Sequence, residues 1–469
     1  MPSVQSGLIR TLQSAVDRVA GGASNPLVRG GITIGAGIII GNLIGFVRVA
    51  ITAYLLGTFA HADALAVAIG PIDTLNSVLI NTMVFAFVPM LMLREGADRM
   101  ALFRKANRVF TGLFAVLATS IIVCAPALIH ALGPGLAAEQ VPVAINILRI
   151  TALTTLFAGV TAMQSAILFT ERRFGPSAFY QACLNTFTIA GALSLWKVAG
   201  IYGFALGYTT GSCVQFALVW WCARGFRRLP ETPNFPTPWR ELVAKPGTFL
   251  IYAGLIAMNL IVTRAHATQA GPGMAAAFDY CIRCVNVVVA YLVSPVSNSL
   301  LPEIARLRVR NKIADAWRLV DRTTAIAATM AVAACVMAEL LRRPIFTLLF
   351  QRGNFTADST ALVSAVFLGF APSLIGWSLL ELTSRSLFAM NQPWLPLCAA
   401  AIPVLFNIGV IAVHPTHDPE AIALGASVGL LLAFVVLYLV AHLWRKREPA
   451  AAIVVGKQVK EPAEELFIY

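Results

Sequence analysis

Val109–Leu132 reads VFTGLFAVLATSIIVCAPALIHAL, without an Asp, Glu, Lys or Arg. A run of roughly 20 apolar residues is the length at which a helix crosses the hydrocarbon core of a bilayer. Ala421–Leu443 reads the same way, and Ala325–Leu341 carries only Glu339. Composition agrees: 58% of the chain is hydrophobic and 12% charged, where a soluble domain carries about 25% charged residues. Spans are expected near 30–56, 62–92, 107–132, 141–169, 177–196, 200–222, 247–266, 273–301, 319–341, 359–389, 393–413 and 419–443. The fold class is therefore an all-α polytopic membrane protein. Gly41 and Gly45, Pro71, Pro295 and Pro372 read as interruptions of the first, second, eighth and tenth spans. Broken backbone is tolerated at membrane depth where it faces protein or a wet cavity.

The formal net charge of +13 reads as the excess of Lys and Arg in cytoplasmic loops, not as a nucleic-acid footprint. With the N-terminus inside, the cytoplasmic loops hold Arg94, Arg99, Arg104, Lys105, Arg108, Arg172, Arg173, Arg224, Arg227, Arg228, Arg240, Lys245, Arg306, Arg308, Arg310, Lys312 and Arg318. The tail adds Arg445, Lys446, Arg447, Lys457 and Lys460, while the opposite loops hold Lys197, Arg342, Arg343 and Arg352. Both termini are expected in the cytoplasm of a bacterial cell whose inner membrane holds the chain. Residues 1–28 read as a partly amphipathic lead on the inner face.

Two endings recur across the chain. Phe87-Val88-Pro89 is echoed by Leu300-Leu301-Pro302, and Ser165–Phe169 by Ser384–Phe388. This points to two related halves of six spans around a central cavity, a transporter architecture. The expected divisions are a cytoplasmic segment (1–29), an N-lobe (30–223), a proline-rich cytoplasmic loop (224–246), a C-lobe (247–443) and a cytoplasmic tail (444–469).

Ionisable residues inside spans are costly and mark function or pairing. Arg264, Asp321, Arg322, Glu339 and Arg385 lie near span ends, where they can snorkel to the interface. Arg48 and Arg283 lie deeper. Arginine holds phosphate oxygens bidentately and stays charged, so an anionic substrate is the natural inference. Asp279 precedes Arg283 by one helical turn and is placed to pair with it. Asp73 is placed to pair with Arg48. Asp63 reads either as a carboxylate favoured by a helix N-terminus or as a substrate contact. Cys281-Ile282-Arg283-Cys284 has redox spacing but lies in an apolar run, where cysteines are small buried hydrophobes. His414, His417, Asp418 and Glu420 have metal-binding spacing, with a solvated turn beside Pro415 and Pro419 the plainer reading. No cofactor or metal is expected, and no nucleotide-binding loop is seen.

Gly45-Phe46-Val47-Arg48, Leu56-Gly57, Ala62-Asp63-Ala64 and Phe87-Val88-Pro89 resemble the N-terminal half of the MurJ/MviN group. Leu349-Phe350-Gln351-Arg352-Gly353-Asn354-Phe355-Thr356-Ala357-Asp358 is similar to that group's loop before the tenth span, and Ser384–Ala389 to the end of that span. The group belongs to the multidrug/oligosaccharidyl-lipid/polysaccharide (MOP) exporter superfamily. The resemblance implies a flippase that moves undecaprenyl-pyrophosphate-linked saccharides by alternating access. It also implies that Arg48 and Arg283 contact the anionic headgroup and that Asp63 holds a family acidic position. The chain departs from lipid II flippases at Asn42, Val49, Leu75, Asn76 and Asn286, all positions where the resemblance implies charge in the group, and in having twelve expected spans where those have fourteen. These departures favour an exporter of exopolysaccharide or another surface-polysaccharide unit, with a lipid II flippase as the alternative. A membrane polysaccharide polymerase and a scaffold of an export complex are the readings from other classes. The expected partners are the lipid-linked saccharide, the bilayer and other polysaccharide biosynthesis or export proteins; the chain reads as a transporter, not an enzyme, and not as a nucleic-acid binder.

Overall fold

The computed structural model describes residues 26–445 apart from 59, 172, 174, 179, 227–238, 293–295, 297–299, 301, 302, 305, 309, 311, 391 and 414–417. The expected amphipathic lead, Pro295, the His414/His417 pair and almost all of the tail lie outside the described residues.

The described chain is helical, as a bilayer demands of backbone that must bond to itself. The long helices are α1 (Pro26–Leu56), α2 (Ala60–Met92), α3 (Gly96–Leu132), α4 (Gln140–Thr170), α5 (Tyr180–Ser194), α6 (Tyr202–Ala223), α7 (Trp239–Ala267), α8 (Met274–Leu292), α9 (Ile313–Leu340), α10 (Ala357–Phe370), α11 (Ser373–Ala389), α12 (Trp394–Val413) and α13 (Pro419–Arg445). Short helices fill Gly175–Ala178, Trp196–Ala199 and Arg342–Phe350. Among the described residues nine helices are long and apolar enough to cross a membrane, ten if α10 and α11, bent by 44°, form one span. The helices α5 and α6 occupy the fifth and sixth expected spans but are not among the nine.

The chain divides into two compact units. One comprises the chain up to Ala257 with Leu349–Thr356; the other comprises Met258–Leu348 and the chain from Ala357 onward. In the first unit, Met83, Phe87 and Met90 of α2 pack with Phe103, Phe110 and Phe114 of α3 and with Met163 and Ile167 of α4. Phe87 meets Phe110 edge-on, with ring centroids 5.3 Å apart. Gly159 of α4 lies under the Phe114 ring, where any side chain would collide. Helix α3 ends where Gly133 donates to the Ile129 carbonyl at 2.9 Å and Pro134 bars continuation. On α3, Leu113, Val116 and Val123 are exposed, as a face turned to lipid chains requires.

The interruptions divide. Pro372 sits at the 44° bend between α10 and α11. Gly41, Gly45 and Pro71, by contrast, lie inside continuous helices. The two glycines are close-packing positions instead: a Cβ on Gly41 would come within 2.9 Å of Gln181, and one on Gly45 within 2.9 Å of Asn185. Asn185 also donates to the Gly41 carbonyl at 3.1 Å. Small residues that let backbones approach are what membrane helix contacts use.

The Leu349–Thr356 segment, part of the most specific motif of the sequence, caps α1. Asn354 donates from its backbone N–H to the Tyr54 carbonyl at 2.9 Å and from Nδ2 to the Leu55 carbonyl at 2.7 Å. Carbonyls in the last turn of a helix have no partner within it, so this loop supplies one. Gly353 adopts φ +62°, and a Cβ there would meet the Tyr54 backbone oxygen at 2.6 Å.

Candidate headgroup-binding clusters

Each unit holds arginine and aspartate in the middle of apolar helices. In the first, Arg48 of α1 and Asp73 of α2 are both buried, with Arg48 Nη2 3.5 Å from Asp73 Oδ2. Tyr208 of α6, also buried, donates its hydroxyl to Asp73 Oδ1 at 3.0 Å. The carboxylate is thus held by a cation on one oxygen and a phenol on the other. Next to it on α2, Asn76 donates to Thr154 of α4 at 2.8 Å. Asn76 is a neutral link between helices.

Asp63 is buried in the first turn of α2. It precedes Asp73 by ten residues, about 15 Å along a helix, so the structure does not bring it into the Arg48–Asp73–Tyr208 cluster.

In the second unit, Asp279 of α8 faces two guanidinium groups. Its Oδ1 accepts from Arg264 Nη2 at 2.9 Å, and its Oδ2 lies 3.9 Å from Arg283 Nε. Arg264 stands in the last turn of α7, as its place in the sequence indicates, yet its side chain is only 3% exposed. The snorkelling expected of Arg264 does not occur. The turn after it is covered instead: Ala267 and Thr268 are buried as well. Arg283 and Asp279 are half-buried.

The remaining intramembrane charges are paired or exposed. Arg385 bonds Glu381 one turn away at 2.5 Å, and Arg342 bonds Glu339 at 2.8 Å. Asp321 is gathered by Arg445 at 3.0 Å and by the Tyr438 hydroxyl at 3.2 Å. Arg149 and Arg322 are exposed. Cys281 is buried and its thiol points to the Val363 carbonyl at 3.5 Å.

Sequence reasoning missed Tyr208, and it read Arg264 as reaching the interface. Tyr208 sits in the glycine-rich run Gly203–Gly211, which reads as packing. It also missed Asn407 of α12, which donates to Thr263 Oγ1 at 2.7 Å and Asn259 Oδ1 at 3.2 Å, both on α7.

Both clusters present arginine in apolar surroundings, held by one carboxylate each, which is chemistry suited to binding an anion in or near a membrane. The family model described as "Lipid II flippase MurJ" matches residues 52–455. A probable lipid II flippase MurJ of Rhizobium meliloti (strain 1021) is 26% identical over 89% of this chain and 81% of its own length. One from Rhizobium tropici is 27% identical over 92% and 85%, and the lipid II flippase MurJ of Burkholderia cenocepacia is 22% identical over 87% and 80%. Among solved structures, a lipid II flippase MurJ in an inward closed conformation superposes with a TM-score of 0.78, at 19% identity over 88% of this chain and 87% of that one. An inward-facing MATE transporter of the MOP superfamily gives 0.74 at 12% identity over 87% and 96%. The matched region takes in Asp63, Asp73, Tyr208, Arg264, Asp279 and Arg283, and with most of its length covered the chain belongs to the MurJ family.

Proposed function

We propose that this chain is a flippase for lipid II, moving the diphosphate-linked saccharide headgroup across the bacterial inner membrane by alternating access. Arg48 of the first unit and Arg283 of the second are each assigned contact with the anionic headgroup during transport, and Asp73 and Asp279 are their counter-ions in the unloaded protein. The observation that carries the reading is the unit-2 cluster: Arg264 and Arg283 both face Asp279 among apolar helices. Ionisable groups gathered inside a membrane mark substrate sites, and guanidinium groups suit a diphosphate. The curated relatives, named as lipid II flippases, support lipid II over the exopolysaccharide unit favoured on the sequence alone. Transport further requires that the headgroup prefer one conformational state, since equal binding to both shifts nothing.

Export of a surface-polysaccharide unit on the same polyprenyl diphosphate remains the second reading. Its specific support is Asn76, which spends its amide on Thr154 where lipid II flippases are expected to present a cation.

The test is complementation. In a bacterium depleted of its own lipid II flippase, this chain restores growth, and the Arg48→Ala and Arg283→Ala forms reach the membrane at wild-type levels without restoring it. Rescue by both substituted chains overturns the assignment of the arginines. Failure of the unaltered chain, together with restored surface polysaccharide in a strain lacking that exporter, moves the function to the second reading.

A further inference from the structure

We propose that the Leu349–Thr356 segment is a positioning element for headgroup binding: Phe350 and Asn354 grip α1 before and after Arg48 and so fix where that arginine stands. The inference rests on the flippase reading above and concerns the first unit alone.

The grip has two parts. Phe350, itself buried, packs on Phe46 with ring centroids 5.6 Å apart, and buried Phe355 backs it at 5.9 Å. Phe46 precedes Arg48 by two residues, about 200° around a helix, so the ring bears on the side of α1 opposite the arginine. Tyr54 follows Arg48 by six residues, about 9 Å along the axis. There Asn354 bonds the Tyr54 carbonyl through its backbone N–H and the Leu55 carbonyl through Nδ2. Gly353 brings the backbone of the segment onto Tyr54, where no side chain fits.

The rest of the unit holds α1 from the Arg48 side. Gly41 and Gly45 pack against Gln181 and Asn185, and Arg48 reaches Asp73 at 3.5 Å, longer than an ordinary hydrogen bond. Away from that side Ile39, Leu43, Val47 and Tyr54 are exposed. The Leu349–Thr356 segment meets this open side and also the helix end, where carbonyls lack intrahelical partners and a helix frays. It comes from distant chain: Asn354 and Leu55 are 299 residues apart, and the chain on both sides of the segment belongs to the second unit. A binding group that must be ordered when its ligand arrives loses affinity, and one held beforehand keeps it. With the segment docked, α1 neither rolls nor frays around Arg48, and the guanidinium meets the diphosphate already in place.

The experiment measures binding of farnesyl diphosphate, with farnesyl monophosphate as control, by microscale thermophoresis. The protein is the purified full-length chain in detergent with its eight native cysteines replaced. This parent binds the diphosphate and its Arg48→Ala form does not. Phe350→Ala binds about tenfold more weakly than the parent and Asn354→Ala about threefold. Adding Tyr54→Cys and Asn354→Cys to Phe350→Ala lets a short bis-methanethiosulfonate cross-linker tie the segment back to α1. The tied protein binds to within about threefold of the parent, and dithiothreitol returns it to the weak state. A merely structural role for Phe350 gives no change on reduction, because the same folded molecules are compared. Where Phe350→Ala does not fold, the Tyr54→Cys/Asn354→Cys chain decides alone, its tied form binding about threefold more tightly than its reduced form. Equal affinity in tied and reduced forms overturns the proposal, and so does parent affinity in both Phe350→Ala and Asn354→Ala. If Arg48→Ala binds as well as the parent, or the parent does not bind the diphosphate, the headgroup site itself is wrong and this inference falls with it.

Discussion

Asp73 illustrates how a single carboxylate is made tolerable among apolar helices. Arg48 approaches one oxygen at 3.5 Å and Tyr208 donates to the other at 3.0 Å. The Arg48 contact is the longer of the two, and the phenol makes the shorter hydrogen bond. Tyr208→Phe leaves Asp73 Oδ1 without that donor, and a buried acceptor left unmade costs about 1–3 kcal/mol. We expect a lower thermal unfolding midpoint in detergent for Tyr208→Phe than for the unaltered chain. The Arg48–Asp73 pair was legible in the sequence, since each residue interrupts an apolar run. Tyr208 and Arg264 were not. A tyrosine in a span costs little and announces nothing, and whether an arginine near a helix end snorkels or is roofed over depends on chain beyond that helix.

At the scale of elements, α5 and α6 meet backbone to backbone. A Cβ on Gly191 would lie 2.5 Å from the Gly207 Cα, and one on Gly207 would lie 2.6 Å from the Phe187 carbonyl oxygen. Neither neighbour is a side chain that can swing aside. Gly207→Leu therefore separates the helices, and with them the Tyr208 that α6 presents to Asp73. We expect the variant to be lost as a monodisperse peak in size-exclusion chromatography. Gly112 of α3 has nothing within 4 Å of its Cβ position, so Gly112→Ala keeps that peak and is stabilised by up to about 1 kcal/mol. The same physics explains a partial misreading. Glycines in the first span look like breaks because glycine is a weak helix former, yet Gly41 and Gly45 serve contact with the segment carrying Gln181 and Asn185. Among the expected interruptions that are described, Pro372, which sits between two helices, is the one at a bend. The Asn354 cap on α1 is a further case: Asn354→Ala removes the Nδ2 bond to Leu55, and an intramolecular hydrogen bond of this kind is worth about 0.5–1.5 kcal/mol. A correspondingly small fall in unfolding midpoint is expected.

For the whole molecule, the all-helical membrane fold followed from apolar runs whose length matches a bilayer, because nothing else satisfies backbone in lipid. The sidedness of the fold rests on a different force. Lys and Arg resist translocation, so the face with the denser positive charge stays inside. The Gly96 end of α3 carries Arg94, Arg99, Arg104, Lys105 and Arg108, and the α6–α7 connection carries Arg224, Arg227 and Arg228. The loop after α3, from Gly133 to Glu139, has no Lys or Arg at all. A crossing of α3 puts these two kinds of loop on opposite sides. In a chain whose eight native cysteines are replaced, Gly135→Cys is labelled by a membrane-impermeant maleimide added to intact spheroplasts, and Gly225→Cys is labelled only after the membrane is opened. The reverse pattern would invert the chain and place the basic loops outside, against the sidedness that the distribution of Lys and Arg predicts.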